Sequence, residues 1–272
     1  MDKQNIIVVR GAGDLASGVI WTLHKAKYNV IALETKNPSA IRRAVSFSEC
    51  VYNGKANIEG VESIIASNVK EAIEISQSGK VAMLIDENAN SIKEINPQIV
   101  VDAILAKKNM GTRKDFANLV ISLGPGFIAG KDCHFVIETM RGHTLGRIYE
   151  KGSAIENTGM PGLIESHDLD RVIHSSTKGI IHNILQIGDV VKKGDTIAII
   201  ENEEDKTKTP VLATIDGVLR GLIHNNFNIP RENYKIADID PRITERNNCF
   251  TISDKARALG GAVLLCIKMN TN

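Results

Sequence analysis

The residues with the clearest capacity for chemistry form a glycine-rich turn near the amino terminus, in the stretch VVRGAGDLASG (Val8–Gly18). Gly11, Gly13 and Ala16 match the pattern G-x-G-x-x-G/A, which follows a strand and opens a helix in dinucleotide-binding proteins. The first glycine allows a tight turn, and the second lets the backbone approach a pyrophosphate. Amides at the start of the helix would then bind the phosphates. The pattern indicates a cofactor site for a nucleotide such as NAD.

Two acidic residues accompany this turn. Glu34 stands 21 positions after Gly13 and could accept hydrogen bonds from a ribose 2′-hydroxyl, whereas its carboxylate would disfavour a 2′-phosphate. Asp14 lies within the turn, either as part of the cofactor-binding set or as a cap of the following helix. A domain of the same type with an empty pocket remains an open alternative.

The elements that must position these residues alternate between strand and helix. The apolar run Ile6–Val9 precedes the turn, a helical apolar spacing follows from Asp14 to about Lys27, and Val30–Glu34 forms a second strand. Further strands are predicted at Glu62–Ser67, Val81–Asp86, Ile99–Leu105 and Leu119–Phe127. This order predicts an α/β fold with a Rossmann-like, doubly wound, mostly parallel sheet over residues 1–150.

The loop SLGPGF holds two more candidate cofactor-binding residues, Gly124 and Gly126. Ligands of doubly wound sheets bind at the carboxyl ends of the strands, so this loop could form the second wall of the pocket. A purely structural turn fits the same residues equally well.

The stretch ETMRGHTLGR supplies the candidate catalytic residues. Glu138 and His143 could perform acid–base chemistry, and Arg141 could hold a phosphate or carboxylate through two parallel hydrogen bonds. The alternative is a solvated loop with a local Glu–Arg pair, and composition alone favours that alternative.

The second half of the chain contains an internal repeat. Gly179 begins GIIHNILQIGDVVKKGDTIAII, and Gly217, 38 positions later, begins the similar GVLRGLIHNNFNIPRENYKIADI. The two halves resemble the lipoyl and biotinyl carrier domains, which are flattened β-barrels of two interlocked quasi-repeats. We therefore predict a β-rich domain over residues 151–272, with a barrel-sandwich module at about 172–240. A short carboxyl-terminal helix, ended by Gly260 and Gly261, and a strand would follow. The linker lysines, Lys206 and Lys208, lie in a context unlike that of the carriers, so covalent lipoate or biotin is not expected.

Composition argues against several classes of protein. A formal net charge of +1 and an aromatic content of 4% do not suit a nucleic-acid binder. No run approaches the ~20 apolar residues of a membrane span, and the start is not a signal peptide, so we predict a cytoplasmic protein. Asp238 and Asp240 in DIDPR could hold Mg²⁺, although hydrogen bonding at a turn is the favoured interpretation, and the metal content stays undetermined.

Eight phrases, in order across residues 5–267, resemble the YqeB-like accessory (maturation) proteins of selenium-dependent molybdenum hydroxylases. The phrases are RGAGDLASGV, IRRAVSFSECVYNG, SLGPGF, ETMRGHTLGR, NTGMPG, IGDVVKKGD, DIDPR and ISDKARALGG.

This resemblance implies a helper protein whose partners are a molybdenum hydroxylase or its maturation machinery. The glycine turn could then hold the pyrophosphate of a molybdopterin dinucleotide, and we expect a homo-oligomer. Arg42 and Arg43 become candidate phosphate ligands, with an exposed helix start as the alternative. Two other functions stay open: an NAD-dependent oxidoreductase, and a non-catalytic scaffold that uses the barrel. Whether the chain catalyses any reaction is undetermined.

Overall fold

The computed structural model describes residues 5–156 and 170–270. The chain divides into two compact units. The first contains Met1–Pro38, Ser46–Thr158 and Ile252–Asn272, and the second contains Ser39–Val45 and Gly159–Thr251. The carboxyl-terminal segment, which the sequence placed with the second domain, thus belongs to the first unit. The phrase NTGMPG lies outside the described residues.

The first unit is built on one nine-stranded sheet. Its elements are β1 (Ile6–Arg10), α1 (Asp14–Lys25), β2 (Asn29–Glu34), α2 (Glu49–Asn53), β3 (Lys55–Ile58), β4 (Val61–Ala66), α3 (Val69–Gln77), β5 (Val81–Ile85), α4 (Ile92–Ile95), β6 (Ile99–Asp102), β7 (Leu119–Leu123), β8 (Phe135–Ile137), β9 (Ile148–Tyr149) and α5 (Asp254–Asn270). The strand order is β3-β4-β5-β2-β1-β6-β7-β8-β9.

The sheet is mixed. From β4 to β8 along this order, neighbouring strands run parallel to each other, and the edge strands β3 and β9 are antiparallel to β4 and β8. β1 is buried along its whole length, with Val9 paired to Ala32 on one side and Val101 on the other. Branched apolar residues buried on both faces explain why this segment is a central strand.

The predicted fold class, a Rossmann-like doubly wound sheet followed by a lipoyl-like barrel-sandwich, was wrong. The first unit has a large mixed sheet with an antiparallel strand at each edge. Among the described residues, no α-helix joins β6 to β7 or β7 to β8, so the alternation of strand and helix stops halfway along the sheet. The sequence pattern misled because a short apolar run predicts a buried strand but not the direction of its neighbour.

Helix α5 packs directly against α1. A Cβ on Gly18 would lie 2.3 Å from the Ala256 carbonyl oxygen, and one on Gly260 would lie 2.3 Å from Thr22 Oγ1. We expected Gly260 and Gly261 to end a short helix before a strand, but the helix continues through them to Asn270. Gly260 is therefore an interhelical contact residue and not a helix terminator.

The second unit contains two four-stranded sheets. Its strands are β10 (Val172–His174), β11 (Gly179–Asn183), β12 (Val190–Val191), β13 (Thr196–Glu201), β14 (Lys208–Leu212), β15 (Gly217–Leu222), β16 (Asn228–Ile229) and β17 (Lys235–Asp240). The sheet orders are β10-β17-β15-β12 and β14-β13-β11-β16, with antiparallel pairing throughout. A β14 strand occupies part of the predicted linker, and it contains Lys208.

The internal repeat has a structural counterpart in this unit. Gly179 has φ +138° and Gly217 has φ +155°. A Cβ on either would lie 2.3 Å from a carbonyl oxygen, that of Glu201 for Gly179 and that of Asp240 for Gly217. Each half therefore begins with a glycine because another strand end passes close to its backbone.

Among the described residues, the helices are too short or too polar to cross a lipid bilayer.

Close packing of α1 against α5 predicts opposite effects for two glycine substitutions. Gly18→Ala places a methyl group against the Ala256 carbonyl and should lower the free energy of unfolding by about 1–3 kcal/mol. Gly261→Ala enters open space on the same helix pair and should raise it by up to about 1 kcal/mol, because alanine favours helix. Urea unfolding followed by circular dichroism measures both, and equal effects would contradict the packing described here.

Candidate ligand site at the carboxyl edge of the first sheet

The glycine turn joins β1 to α1 at the point where β1 lies between β2 and β6. Gly11 has φ +89°, its N–H donates to the Leu33 carbonyl at 2.7 Å, and a Cβ there would lie 3.0 Å from the Ala103 carbonyl oxygen. Gly13 faces open space: apart from its chain neighbours and the backbone of α1, no described residue has an atom within 4 Å of the position that a Cβ would occupy. Gly11 thus serves the turn itself, whereas Gly13 leaves room for a ligand.

The start of α1 has the character of an anion-binding site. Gly13 is the N-cap residue and provides no side-chain cap, and Ser17 N–H donates to the Gly13 carbonyl at 2.8 Å. The amides of Leu15 and Ala16 come before this bond and have no intrahelical acceptor. The helix dipole adds a partial positive charge at the same end. Asp14 occupies the first turn of this helix.

Glu34 binds the glycine turn directly. One carboxylate oxygen accepts from Ala12 N–H at 2.8 Å, and the other accepts from Thr35 N–H at 2.8 Å. Burial raises the pKa of this carboxyl group, and the two amide hydrogen bonds oppose the rise. Glu34, which the sequence predicts to bind a ribose hydroxyl, therefore lies at the turn. Its carboxylate already accepts a hydrogen bond from the Ala12 amide there.

Three further strands end with an acid bound to the loop that follows. Asp86 accepts from Asn90 N–H and from the N–H and hydroxyl of Ser91. Asp102 accepts from Ile104 N–H at 3.1 Å. Glu138, at the end of β8, is the most fully bonded of them and is described below. Carboxylates thus organise the loops along this edge of the sheet.

Arg10 and Asp102 form a buried ion pair at the carboxyl ends of β1 and β6. Both are 1% exposed, and Arg10 Nη1 lies 3.5 Å from an Asp102 oxygen. Thr112 accepts a hydrogen bond from Arg10 and donates one to Asp102. Burial raises the pKa of Asp102, and the Thr112 hydroxyl and the Arg10 charge counteract that effect. Arg10 also donates to the carbonyls of Glu87 and Met110, which lie in the loops that follow β5 and β6.

The three candidate catalytic residues have different surroundings. Glu138 is fully buried and accepts from the N–H groups of Thr139, Met140 and Ile155, each at 2.8 Å, and from the Tyr149 hydroxyl at 3.3 Å. Arg141 is exposed and forms an ion pair with Asp254 at 3.0 Å, and His143 is exposed. Glu138 is therefore engaged in loop structure, and the predicted local Glu–Arg pair is replaced by Arg141–Asp254.

Gly124 and Gly126 allow close packing between loops. Gly124 has φ +79°, and its Cβ would lie 2.7 Å from Thr139 Oγ1. Gly126 has φ +100°, and its Cβ would lie 2.5 Å from Lys108 Cα. The structure thus accounts for both glycines through backbone conformation and neighbouring loops, as in the structural alternative considered from sequence.

Arg42 and Arg43 belong to the second unit. Arg42 donates to the carbonyls of Asn248 and Thr251 at 3.1 Å, and Arg43 donates to the Leu222 carbonyl at 2.8 Å. Their assignment as phosphate ligands stays a prediction.

Lys255 is a residue of this edge that the sequence reasoning missed. It is half-buried in the first turn of α5. Burial lowers its pKa, as does the charge of Arg141, while Asp14, Glu138 and Asp254 raise it. A cation in an unfavourable environment beside a glycine turn is typical of functional sites. The phrase SDKAR could have indicated this residue, because it places a lysine in the first turn of a capped helix, where an acidic residue is more favourable.

The DIDPR aspartates are engaged by arginines within the second unit. Asp238 binds Arg171 at 2.6 Å and lies 3.6 Å from Arg220, and Asp240 binds Arg242 at 2.8 Å. Within the residues that the structure describes, no group of three or more His, Cys, Asp or Glu side chains is arranged to hold a metal ion.

Comparison with known proteins gives one relative by sequence, and no protein-family model matches the chain. The chain is 45% identical over 264 residues to "Uncharacterized protein YqeB" of Escherichia coli (strain K12), which covers 97% of this chain and 47% of that protein. The similarity supports a YqeB-like family, as the eight phrases indicated. The chain spans about half the length of this curated relative, whose name assigns no activity.

Solved structures similar to this chain include two proteins with aspartoacylase in their names. An aspartoacylase family protein from Mesorhizobium loti shares 11% identity at a TM-score of 0.29, covering 87% of this chain and 85% of that one. A succinylglutamate desuccinylase/aspartoacylase from Rhodobacter sphaeroides shares 12% identity at a TM-score of 0.29, with the same coverage. At these TM-scores the likeness carries no inference about the activity of this chain.

The functions expected from the sequence gain no support from the names of these proteins and are corrected. The similar structures are named for aspartoacylase and desuccinylase, and the sequence relative is uncharacterized. None of these names supports maturation of molybdenum hydroxylases, NAD-dependent oxidoreduction or a lipoyl-like scaffold, and we withdraw all three functions.

Removing one partner of the Arg10–Asp102 pair should be costly. Asp102→Asn leaves the buried Arg10 charge without its counter-ion and should lower the free energy of unfolding by about 3–5 kcal/mol. Adding Arg10→Met removes that charge, so the double variant should be more stable than the sum of the two single effects by at least about 1 kcal/mol. A double-mutant cycle in urea measures this coupling, and strictly additive effects would show that the pair is not coupled.

The surroundings of Lys255 predict the direction of its titration. NMR of the Lys255 Cε signal against pH should give a midpoint below 10.5, its ordinary value, because burial disfavours the ammonium form. Asp14→Asn removes a negative charge and should lower the midpoint further. Arg141→Met removes a positive charge and should raise it. A midpoint that neither substitution moves would refute this placement of Lys255.

Proposed function

We propose that the first unit binds a nucleotide through its phosphates at the turn Gly11–Gly13. The observation that carries the proposal is the start of α1, where, among the described residues, Gly13 faces open space and this N-cap residue makes no side-chain cap. Helix amino termini of this kind bind phosphate through their backbone amides. Pyrophosphate is the group proposed, because it is common to NAD and to a molybdopterin dinucleotide, the two cofactors considered from the sequence.

Two cations support binding of an anion here. Lys255 and Arg141 interact electrostatically with each other, and burial disfavours the charged form of Lys255 more than Asp14, Glu138 and Asp254 favour it. A phosphate beside α1 would relieve this penalty of burial. Such relief makes Lys255 a ligand-binding residue in this proposal, and Arg141 a second cation at the rim.

Glu34 sets a limit on the ligand. Its carboxylate bonds the turn through Ala12 and has accepting capacity left for a ribose hydroxyl. The same negative charge disfavours a 2′-phosphate at this position. The ligand we propose is accordingly a nucleotide with an unmodified 2′-hydroxyl.

Other expectations from the sequence stay predictions. These are the molybdenum hydroxylase or its maturation machinery as partner, a homo-oligomeric state, the absence of covalent lipoate or biotin, and a cytoplasmic location. Glu138, Arg141 and His143 likewise stay predictions as catalytic residues, and their different surroundings favour a binding role for this edge over a catalytic one.

Calorimetric titration with pyrophosphate, NAD and CTP tests the proposal. Gly13→Asp adds a carboxylate to the space where the phosphates would lie, and should weaken binding at least tenfold without loss of fold, because Gly13 has φ −68°. Lys255→Met should weaken it as well.

The matched controls lie on the same helix as Lys255. Gly261→Asp adds the same carboxylate to open space, and Lys268→Met removes a lysine near the other end of α5; both should bind like the wild type. Absence of binding to the wild type at millimolar ligand, or equal binding by Gly13→Asp, would overturn the proposal.

A further inference from the structure

A cavity of about 620 Å³ opens at the amino-terminal edge of the same sheet, opposite the glycine turn. Ile99, Leu119 and Phe135, which line it, are the first residues of β6, β7 and β8. The volume falls within the range of small-molecule sites, about 300–1,000 Å³. The strand starts supply an apolar wall, and the remaining lining is polar.

His134 presents a defined hydrogen-bonding state to this cavity. Its Nδ1 accepts from Val120 N–H at 2.9 Å, and its own backbone N–H donates to the Val120 carbonyl at 2.8 Å. With Nδ1 used as an acceptor, the neutral ring carries its proton on Nε2. Burial and the charge of Lys114 lower the pKa of His134, so the ring is neutral at pH 7 and Nε2–H is a donor.

Lys114 brings a positive charge to the same cavity. Its Nζ lies 3.4 Å from the Gly130 carbonyl oxygen, which holds the side chain near the cavity, and its field reaches His134. The carboxamides of Gln98 and Asn118 add further hydrogen-bonding groups. Glu150 is the acid in the lining and is exposed. A cation, an imidazole N–H and an apolar wall together suit an oxyanion attached to an apolar body.

We propose that this cavity is a second binding site, which takes a small molecule carrying a carboxylate or phosphate on a flat apolar group. Lys114 and His134 Nε2–H bind the oxyanion, and the apolar group lies against Ile99, Leu119 and Phe135. The cavity lies at the opposite edge of the sheet from the glycine turn and shares no residue with it. The proposal of this second site therefore does not depend on nucleotide binding at the first.

NMR of the histidine ring signals in the full chain tests this site, with benzoate and phenyl phosphate as probes. Either probe should shift the His134 signals with a saturable dependence on concentration. Lys114→Met should weaken that binding at least tenfold. Lys131→Met, which removes an exposed lysine outside the lining, should leave it unchanged. Saturation by only one probe would identify whether carboxylate or phosphate is the preferred oxyanion.

Further measurements test the preference for anions and separate this site from the glycine turn. Benzylamine should not bind; a preference for it over the anions would mean that Glu150 dominates and would overturn the proposal. Unshifted His134 signals at millimolar probe would do the same, as would equal binding by Lys114→Met. Gly13→Asp should bind both probes normally, which separates this site from the first. His134→Asn can retain the hydrogen bond from Val120, and calorimetry measures its probe binding without the ring signal; weakened binding at an unchanged melting temperature would support a direct role for the ring.

Discussion

Close packing between α1 and α5 is the constraint on which the candidate site of the first unit depends. The carbonyl of Ala256 and the hydroxyl of Thr22 approach positions where any residue larger than glycine would collide, at Gly18 and Gly260. This contact joins a helix from the start of the chain to one from its end. It places the first turn of α5 near the first turn of α1, and so brings Lys255 within the field of Asp14. Without that contact Lys255 would not be held within the field of Asp14 at the start of α1.

The carboxyl edge of the sheet is organised by acids that end the strands. Glu34, Asp86, Asp102 and Glu138 each bind backbone amides in an adjoining turn or loop. Charge-assisted hydrogen bonds of this kind are stronger than neutral ones and hold irregular backbone in one conformation. The buried Arg10–Asp102 ion pair links the ends of β1 and β6 in the same way. Its contribution to stability depends on the hydrogen bond from Thr112 as much as on the attraction between the two charges. An edge held in this way, with an open position at Gly13 among the described residues, is suited to selective binding.

The two edges of the sheet differ in what they offer. The carboxyl edge presents the start of a helix and backbone amides, with Glu34 already bound to one of them. The amino edge presents a cavity with an apolar wall and a neutral imidazole. The second unit is built differently again, from two similar halves whose glycines at Gly179 and Gly217 meet carbonyls of other strands. Its arginines are engaged with Asp238, Asp240 and backbone carbonyls, so its charged residues contribute to structure.

The sequence by itself determined the local elements and the glycine turn. β1, α1 and β2 lie within a few residues of their predicted bounds, because buried apolar runs and helical spacing are local signals. The repeat that begins at Gly179 and Gly217 could also be recognised in the sequence, because a backbone conformation with positive φ requires glycine in both copies. Only the tertiary structure decided the direction of the edge strands, the continuation of α5 through Gly260, the partners of Glu138 and Arg42, and the place of Lys255. Each of these depends on a contact between residues that are far apart in the sequence. Such contacts produce no periodic pattern in a single sequence from which they could be predicted.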